Sequence, residues 1–164
     1  MTPLARTLAK YGAYHRDRRN VATHLVGIPM IVLAVVVLLS RPMWSFGDFA
    51  LTPAIIGSLL ASYFYLRLDL RFGIAMALLL VVLQSIGSVI AFLPTPLWLG
   101  CGLGLFVAGW VIQFVGHYFE GRKPAFVDDL KSLLVGPLFV VAELAFMLGL
   151  RRDLQAQISG QAPH

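Results

Sequence analysis

Four histidines offer the chain's clearest chemistry, and three of them sit close to polar breaks in an otherwise apolar sequence. His15, His24 and His117 each present neutral imidazole, the commonest metal ligand in proteins. His164 is the last residue and is set aside. His15 and His24 are nine residues apart, which on one continuous helix would turn them by about 900° and place them on opposite faces. The polar run His15-Arg16-Asp17-Arg18-Arg19-Asn20 interrupts any such helix, so the two can still face each other. Asn20 and His24 stand at i and i+4, so Asn20 can orient His24 or cap its helix. Gln113, His117 and Glu120 stand at i, i+4 and i+7 on one helical face. Glu120 is a candidate fourth ligand, or an acceptor for an imidazole N–H. On spacing alone, interfacial histidines are more often headgroup or hydrogen-bonding residues than ligands.

The elements that must position these residues belong in a membrane. Apolar residues make up 59% of the chain and charged ones 13%, with a mean hydropathy of +0.81. Soluble domains carry about twice that charge, and a domain this small could not hide so much apolar surface. About five apolar stretches approach the roughly 20 residues a membrane helix needs: Val21–Ser40, Phe49–Leu66, Phe72–Phe92, Leu97–Gly116 and Leu133–Leu150. The fifth carries Gly136-Pro137 and Glu143, which suggest a broken or re-entrant helix. Gln84 and Glu143 are polar groups inside spans, where such groups turn toward protein; they could bond one another, or Glu143 could face a polar cavity. Loops are expected at Arg41–Asp48 and His117–Ser132, with a tight charged turn at residues 67–71. Asp128 and Asp129 suit the helix N-terminus that follows them.

Ahead of the first span, Thr2-Pro3 reads as an N-cap with proline at the first helical position. Leu4, Leu8, Tyr11 and His15 then share one face. An amphipathic helix over the N-terminal region follows, lying either on the membrane surface or against the protein. The chain is thus expected to be all-α: a single membrane domain with an interfacial helix and polar break over residues 1–20, a helix bundle of four to five spans over 21–150, and a polar, frayed tail over 151–164.

Lysine and arginine give the orientation. With five spans and the N-terminus inside, the inner segments hold ten basic residues and the outer ones three, namely Arg41, Arg151 and Arg152. If the fifth stretch is re-entrant, the bias becomes twelve to one. The arrangement places His15, His24 and His117 together at the cytoplasmic face. The net charge of +5 is spent on these connecting segments, so nucleic acid is not expected as a partner. The lone Cys101 allows no intrachain disulfide.

Two stretches carry a resemblance. Tyr11-Gly-Ala-Tyr-His15 through Asn20, His24, Gly27 and Pro29 fits the pattern Y-x-x-x-H-x4-N-x3-H-x2-G-x-P. Gln113-Phe-Val-Gly-His117-Tyr-Phe-Glu120 through Pro124-Ala125 fits Q-F-x-G-H-x-x-F/Y-E-x-x-x-P-A, except that the aromatic stands one place earlier, at Phe119. Both resemble signatures of the membrane 2-hydroxy fatty acid dioxygenases, first described in fungal phytosphingosine breakdown and represented in bacteria. The resemblance implies an Fe(II)-dependent membrane enzyme that uses O2 to shorten a 2-hydroxy fatty acid by one carbon. His15, His24 and His117 match its essential histidines. For such a reaction, Arg16, Arg18, Arg19, Arg122 or Lys123 are candidates to pair with the substrate carboxylate on its approach, and Asn20 and Gln113, from their helical spacing, are candidate supporting or substrate-side residues. Iron held by three side chains keeps positions free for a chelating substrate and O2. A bacterial inner membrane is the expected location, or the endoplasmic reticulum in a eukaryote. A di-iron hydroxylase would need about eight histidines. A small transporter would want more polar groups within its spans. A non-enzymatic scaffold leaves the local Asn20/His24 and Gln113/His117/Glu120 constellations without a purpose.

Overall fold

The computed structural model describes residues 1–47 and 49–160, with the side chain of Phe49 left aside; Asp48, His164 and the end of the expected tail lie outside the described residues. The described chain is almost entirely helical: α1 (Pro3–Gly12), α2 (Arg18–Leu39), α3 (Pro53–Leu68), α4 (Leu70–Ala91), α5 (Thr95–Glu120), α6 (Ser132–Met147) and α7 (Arg152–Ser159). A short hairpin of β1 (Trp44–Phe46) and β2 (Phe49–Leu51) joins α2 to α3. It replaces the loop expected over Arg41–Asp48.

Helices α2, α4 and α5, of 22, 22 and 26 residues, are long and apolar enough to cross a membrane. Helix α3 is apolar but has 16 residues, which at 1.5 Å each gives about 24 Å. The pair α6 and α7 passes as one span bent by 111°. These elements account for the expected apolar stretches. Leu78, Val81, Val82 and Val89 of α4 are exposed rather than packed, as a lipid-facing surface requires.

Caps set the boundaries. Thr2 Oγ1 accepts from the Ala5 N–H, with Pro3 starting α1. The same device recurs at Thr52-Pro53, where Thr52 Oγ1 accepts from Ile55 N–H. The second apolar helix therefore begins at Pro53 and not at Phe49. Asp69 caps α4 through the Phe72 N–H. The start of α2 is held by Asp17, whose Oδ1 accepts from the Arg19 N–H, rather than by Asn20. Asp129 Oδ1 accepts from the Lys131 N–H just ahead of α6.

The fifth apolar helix does not break at Gly136-Pro137, since α6 runs through both. The bend falls at Leu148–Arg151, where Gly149 and Arg151 both take positive φ, 72° and 52°. A left-handed glycine is a common way to end a helix. The chain beyond Arg151 then forms α7 instead of fraying from that point, and Leu154 is buried.

Contacts divide the chain into two compact units. One comprises Met1–Ile28 with Ile112–His164, the other Pro29–Val111. Within the second, α3 and α4 pack as a hairpin in which Gly73 lies against the Leu66 backbone, too close for a side chain. There Gln84 Nε2 donates to Ser40 Oγ at 3.2 Å. Within the first unit, Leu4, Leu8 and Tyr11 of α1 are buried, and α1 packs on α6 and α7. The apolar stripe of α1 is thus covered by protein. Val135, Leu138, Phe139 and Val140 complete this core.

Candidate metal centre

The first unit assembles the three histidines from separate segments. His15 sits in the break after α1, His24 in the second turn of α2, and His117 in the last turn of α5. All three are buried, and each offers one ligating nitrogen, these atoms lying within 4.8 Å of one another. The ring centroids of His15 and His24 are 4.3 Å apart, those of His24 and His117 4.9 Å, and those of His15 and His117 5.3 Å.

Backbone carbonyls fix two of the tautomers. His15 Nδ1 lies 2.8 Å from the Tyr11 carbonyl, and His24 Nδ1 lies 2.8 Å from the Asn20 carbonyl. In both cases the partner is four residues back. A carbonyl only accepts, so each Nδ1 carries the proton and each Nε2 presents its lone pair. Those two Nε2 atoms are 2.9 Å apart. Two lone pairs at that distance repel unless a proton or cation lies between them. Burial lowers the His15 pKa below the ordinary imidazole value, against the opposing effects of the Tyr11 carbonyl and the Glu120 charge. A shared imidazolium proton is therefore disfavoured. A metal cation satisfies both nitrogens. Two nitrogens this close can serve one ion. The donor set thus fits a metal accepting neutral imidazole.

Close helix approach is what brings the rings together. Any side chain added at Gly116 would collide with Thr23 Oγ1 and Asn20 Oδ1. Glycine at that position lets α5 lie against the first turns of α2, one residue before His117. Asn20 is fully buried, and its Nδ2 donates to Glu120 Oε2 at 3.0 Å.

Glu120, the expected candidate for a fourth ligand, does not join the cluster. Its oxygens accept from the Arg16 N–H at 3.0 and 3.1 Å and from the Asp17 N–H at 2.9 Å. Nor does it accept from an imidazole. The carboxylate straps the His15-bearing break to the end of α5. Gln113 is buried one turn before His117, and its Oε1 has no partner among the described residues. His117 Nδ1 is likewise buried without a hydrogen bond among them.

The basic residues separate. Arg19 is held by Asp17 at 2.8 Å and lies over the Phe119 ring. Lys123 pairs with Asp128 at 2.6 Å, and Arg122 donates to the Ala13 carbonyl. Arg16, next to His15, is exposed. The Tyr11 ring, on the face expected to include His15, stacks on it at 4.3 Å and 13°, and Phe139 of α6 packs against both rings. Phe139 had no local mark in the sequence.

Residues 1–148 match the family of 2-hydroxy-palmitic acid dioxygenase Mpo1-like proteins. The chain belongs to this family. As a member of the Mpo1-like family it is similar to the 2-hydroxy-palmitic acid dioxygenase MPO1 of Saccharomyces cerevisiae, with 35% identity over 155 residues, 92% of this chain and 84% of the yeast protein. No solved structure matches it. The three-histidine cluster falls wholly within the part of the chain that matches the Mpo1-like family.

Proposed function

We propose that the protein is an Fe(II)-dependent membrane dioxygenase that uses O2 to shorten a 2-hydroxy fatty acid by one carbon. The observation that carries this reading is the pair of Nε2 lone pairs 2.9 Å apart within a buried three-histidine cluster, in a chain similar to a named 2-hydroxy-palmitic acid dioxygenase. His15, His24 and His117 would hold the metal. When bound, iron(II) supplies the redox partner for O2 and free positions for a chelating carboxylate and hydroxyl.

The chain's own groups prepare that site. The Tyr11 and Asn20 carbonyls hold protons on Nδ1 of His15 and His24, which leaves Nε2 free at neutral pH. Glu120 holds the His15 segment in place. Arg16, exposed beside His15, is placed to draw in the substrate carboxylate, while Arg19, Arg122 and Lys123 are already engaged. Tyr11 and Phe139 exclude water from the His15 side. The excess of basic residues on one set of connecting segments supports a site at the cytoplasmic face with the N-terminus inside. The acyl chain would extend into the adjacent leaflet. A bacterial inner membrane suits this arrangement.

Purification in detergent, assay of bound iron and measurement of O2 uptake with 2-hydroxypalmitic acid test the proposal. Iron near one per chain and stoichiometric uptake are expected, both abolished in His15→Ala, His24→Ala and His117→Ala. Absence of iron binding and of uptake in the native protein would remove the enzyme reading.

A further inference from the structure

Gln113 is the polar group of this site that has no assigned work. It lies on α5 four residues before His117, on the same face of the helix. It is 5% exposed, its Oε1 is buried, and it has no hydrogen-bond partner among the described residues. Asn20 Oδ1, which lies close against Gly116, and His117 Nδ1, in the three-histidine cluster, are also buried and unpaired among the described residues; Gln113 Oε1 is the acceptor one helical turn from the cluster. A buried carbonyl oxygen left unpaired is unfavourable, and buried polar atoms in native proteins are generally satisfied once every bound group is counted. The missing partner must be a hydrogen-bond donor.

We propose that Gln113 Oε1 accepts a hydrogen bond from the hydroxyl at C2 of the substrate and so selects 2-hydroxy fatty acids over unsubstituted ones. The inference rests on the function proposed above. The position supports it. Helix α5 ends in the polar turn at Gly121, so Gln113 stands one turn, about 6 Å, farther from that polar end than His117. A fatty acid with its carboxylate toward the polar end directs its first carbons to this level. The chemistry also selects the group. An ionised carboxylate has no proton to give, and an alkyl chain has none suited to donation. Among the first carbons of the acid, the C2 hydroxyl is the donor available. A site built to pair with a hydroxyl discriminates against the analogue that lacks it, because its own polar atom is then left buried and unpaired.

The test compares equilibrium binding of 2-hydroxypalmitic and palmitic acids to detergent-solubilised, iron-loaded protein without O2. Circular dichroism and iron content serve as controls for folding. The native protein should prefer the hydroxylated acid. In Gln113→Met, which keeps the length and removes the acceptor, that preference should fall about tenfold, mainly through weaker binding of the hydroxylated acid. Gln113→Glu, which retains an acceptor oxygen, should keep most of it. An unchanged preference in Gln113→Met, or equal weakening of both acids, would overturn the proposal. If Gln113→Met fails to fold, loss of preference in Gln113→Ala or its retention there decides the same question. Absence of any binding or turnover of 2-hydroxypalmitic acid by the native protein would instead strike at the proposed function itself.

Discussion

Glu120→Ala should weaken metal binding without removing a ligand. The carboxylate accepts from Arg16 N–H, Asp17 N–H and Asn20 Nδ2, all between 2.9 and 3.1 Å. Two of these donors are backbone groups of the break that carries His15. Hydrogen bonds to a charged group contribute about 1.5–3 kcal/mol each in buried settings. Here the Arg16 N–H is exposed and can return to water, so a net loss of about 3 kcal/mol for the whole strap is the reasonable scale. At 1.36 kcal/mol per decade, metal affinity should fall by about a hundredfold, because the free His15 segment must be reordered on binding. Glu120→Gln behaves differently. Oε2 takes three of the four contacts, and a carboxamide oxygen can occupy that place. Its affinity should stay within about tenfold of native. Anaerobic titration of iron(II) against a competing chelator measures both variants. Hydrogen exchange at the Arg16 and Asp17 amides should accelerate in Glu120→Ala. The reasoning fails if the two variants lose affinity equally, and more so if substitution changes the ligand-field spectrum of cobalt-substituted protein. Either result would make Glu120 a ligand rather than a strap.

Three further outcomes follow from the same geometry. Gly116→Ala should force α5 away from Thr23 and Asn20, costing about 1–3 kcal/mol in thermal unfolding and lowering metal affinity, whereas the neighbouring exposed Val115 should tolerate alanine. Leu8→Ala removes a side chain that is 2% exposed between α1 and the helices it packs on; a loss of about 2–5 kcal/mol is expected, read as a lower midpoint in thermal unfolding. For pH, His15 titrates below the ordinary imidazole value because burial disfavours its charged form. The unfolded chain therefore binds the extra proton first, and the stability of metal-free protein should decline as pH falls below about 6.5. His15→Gln should flatten that part of the profile.

The site was legible in the sequence to the extent that it was local. The Asn20 carbonyl orients His24 because a helical turn of α2 places it four residues back, and that spacing is written in the chain; the Tyr11 carbonyl reaches His15 across the break that follows α1. The i, i+4, i+7 face of Gln113, His117 and Glu120 is equally local, since α5 continues to Glu120. The Thr-Pro cap that marked the first helix also marks the start of α3 at Pro53; hydrophobicity alone placed that start too early, because the hairpin before it is also apolar. The bend near Gly149 was misplaced for a similar reason. Pro137 is the stronger helix breaker in water, yet α6 runs through it, packed along Val135, Gly136 and Phe139.

Sequence by itself determined the solvent, the helical class and the identity of the three imidazoles, since these follow from composition, apolar run length and residue type. The positions of the basic residues also led to the expectation that His15, His24 and His117 share one face of the membrane. Only the tertiary structure decided what each polar group does there. Glu120 accepts from backbone amides instead of joining the three-histidine cluster, and Gln113 Oε1 is left without a partner among the described residues. Such assignments depend on distances of under 3.5 Å between residues about a hundred positions apart, and chain spacing carries no information at that separation.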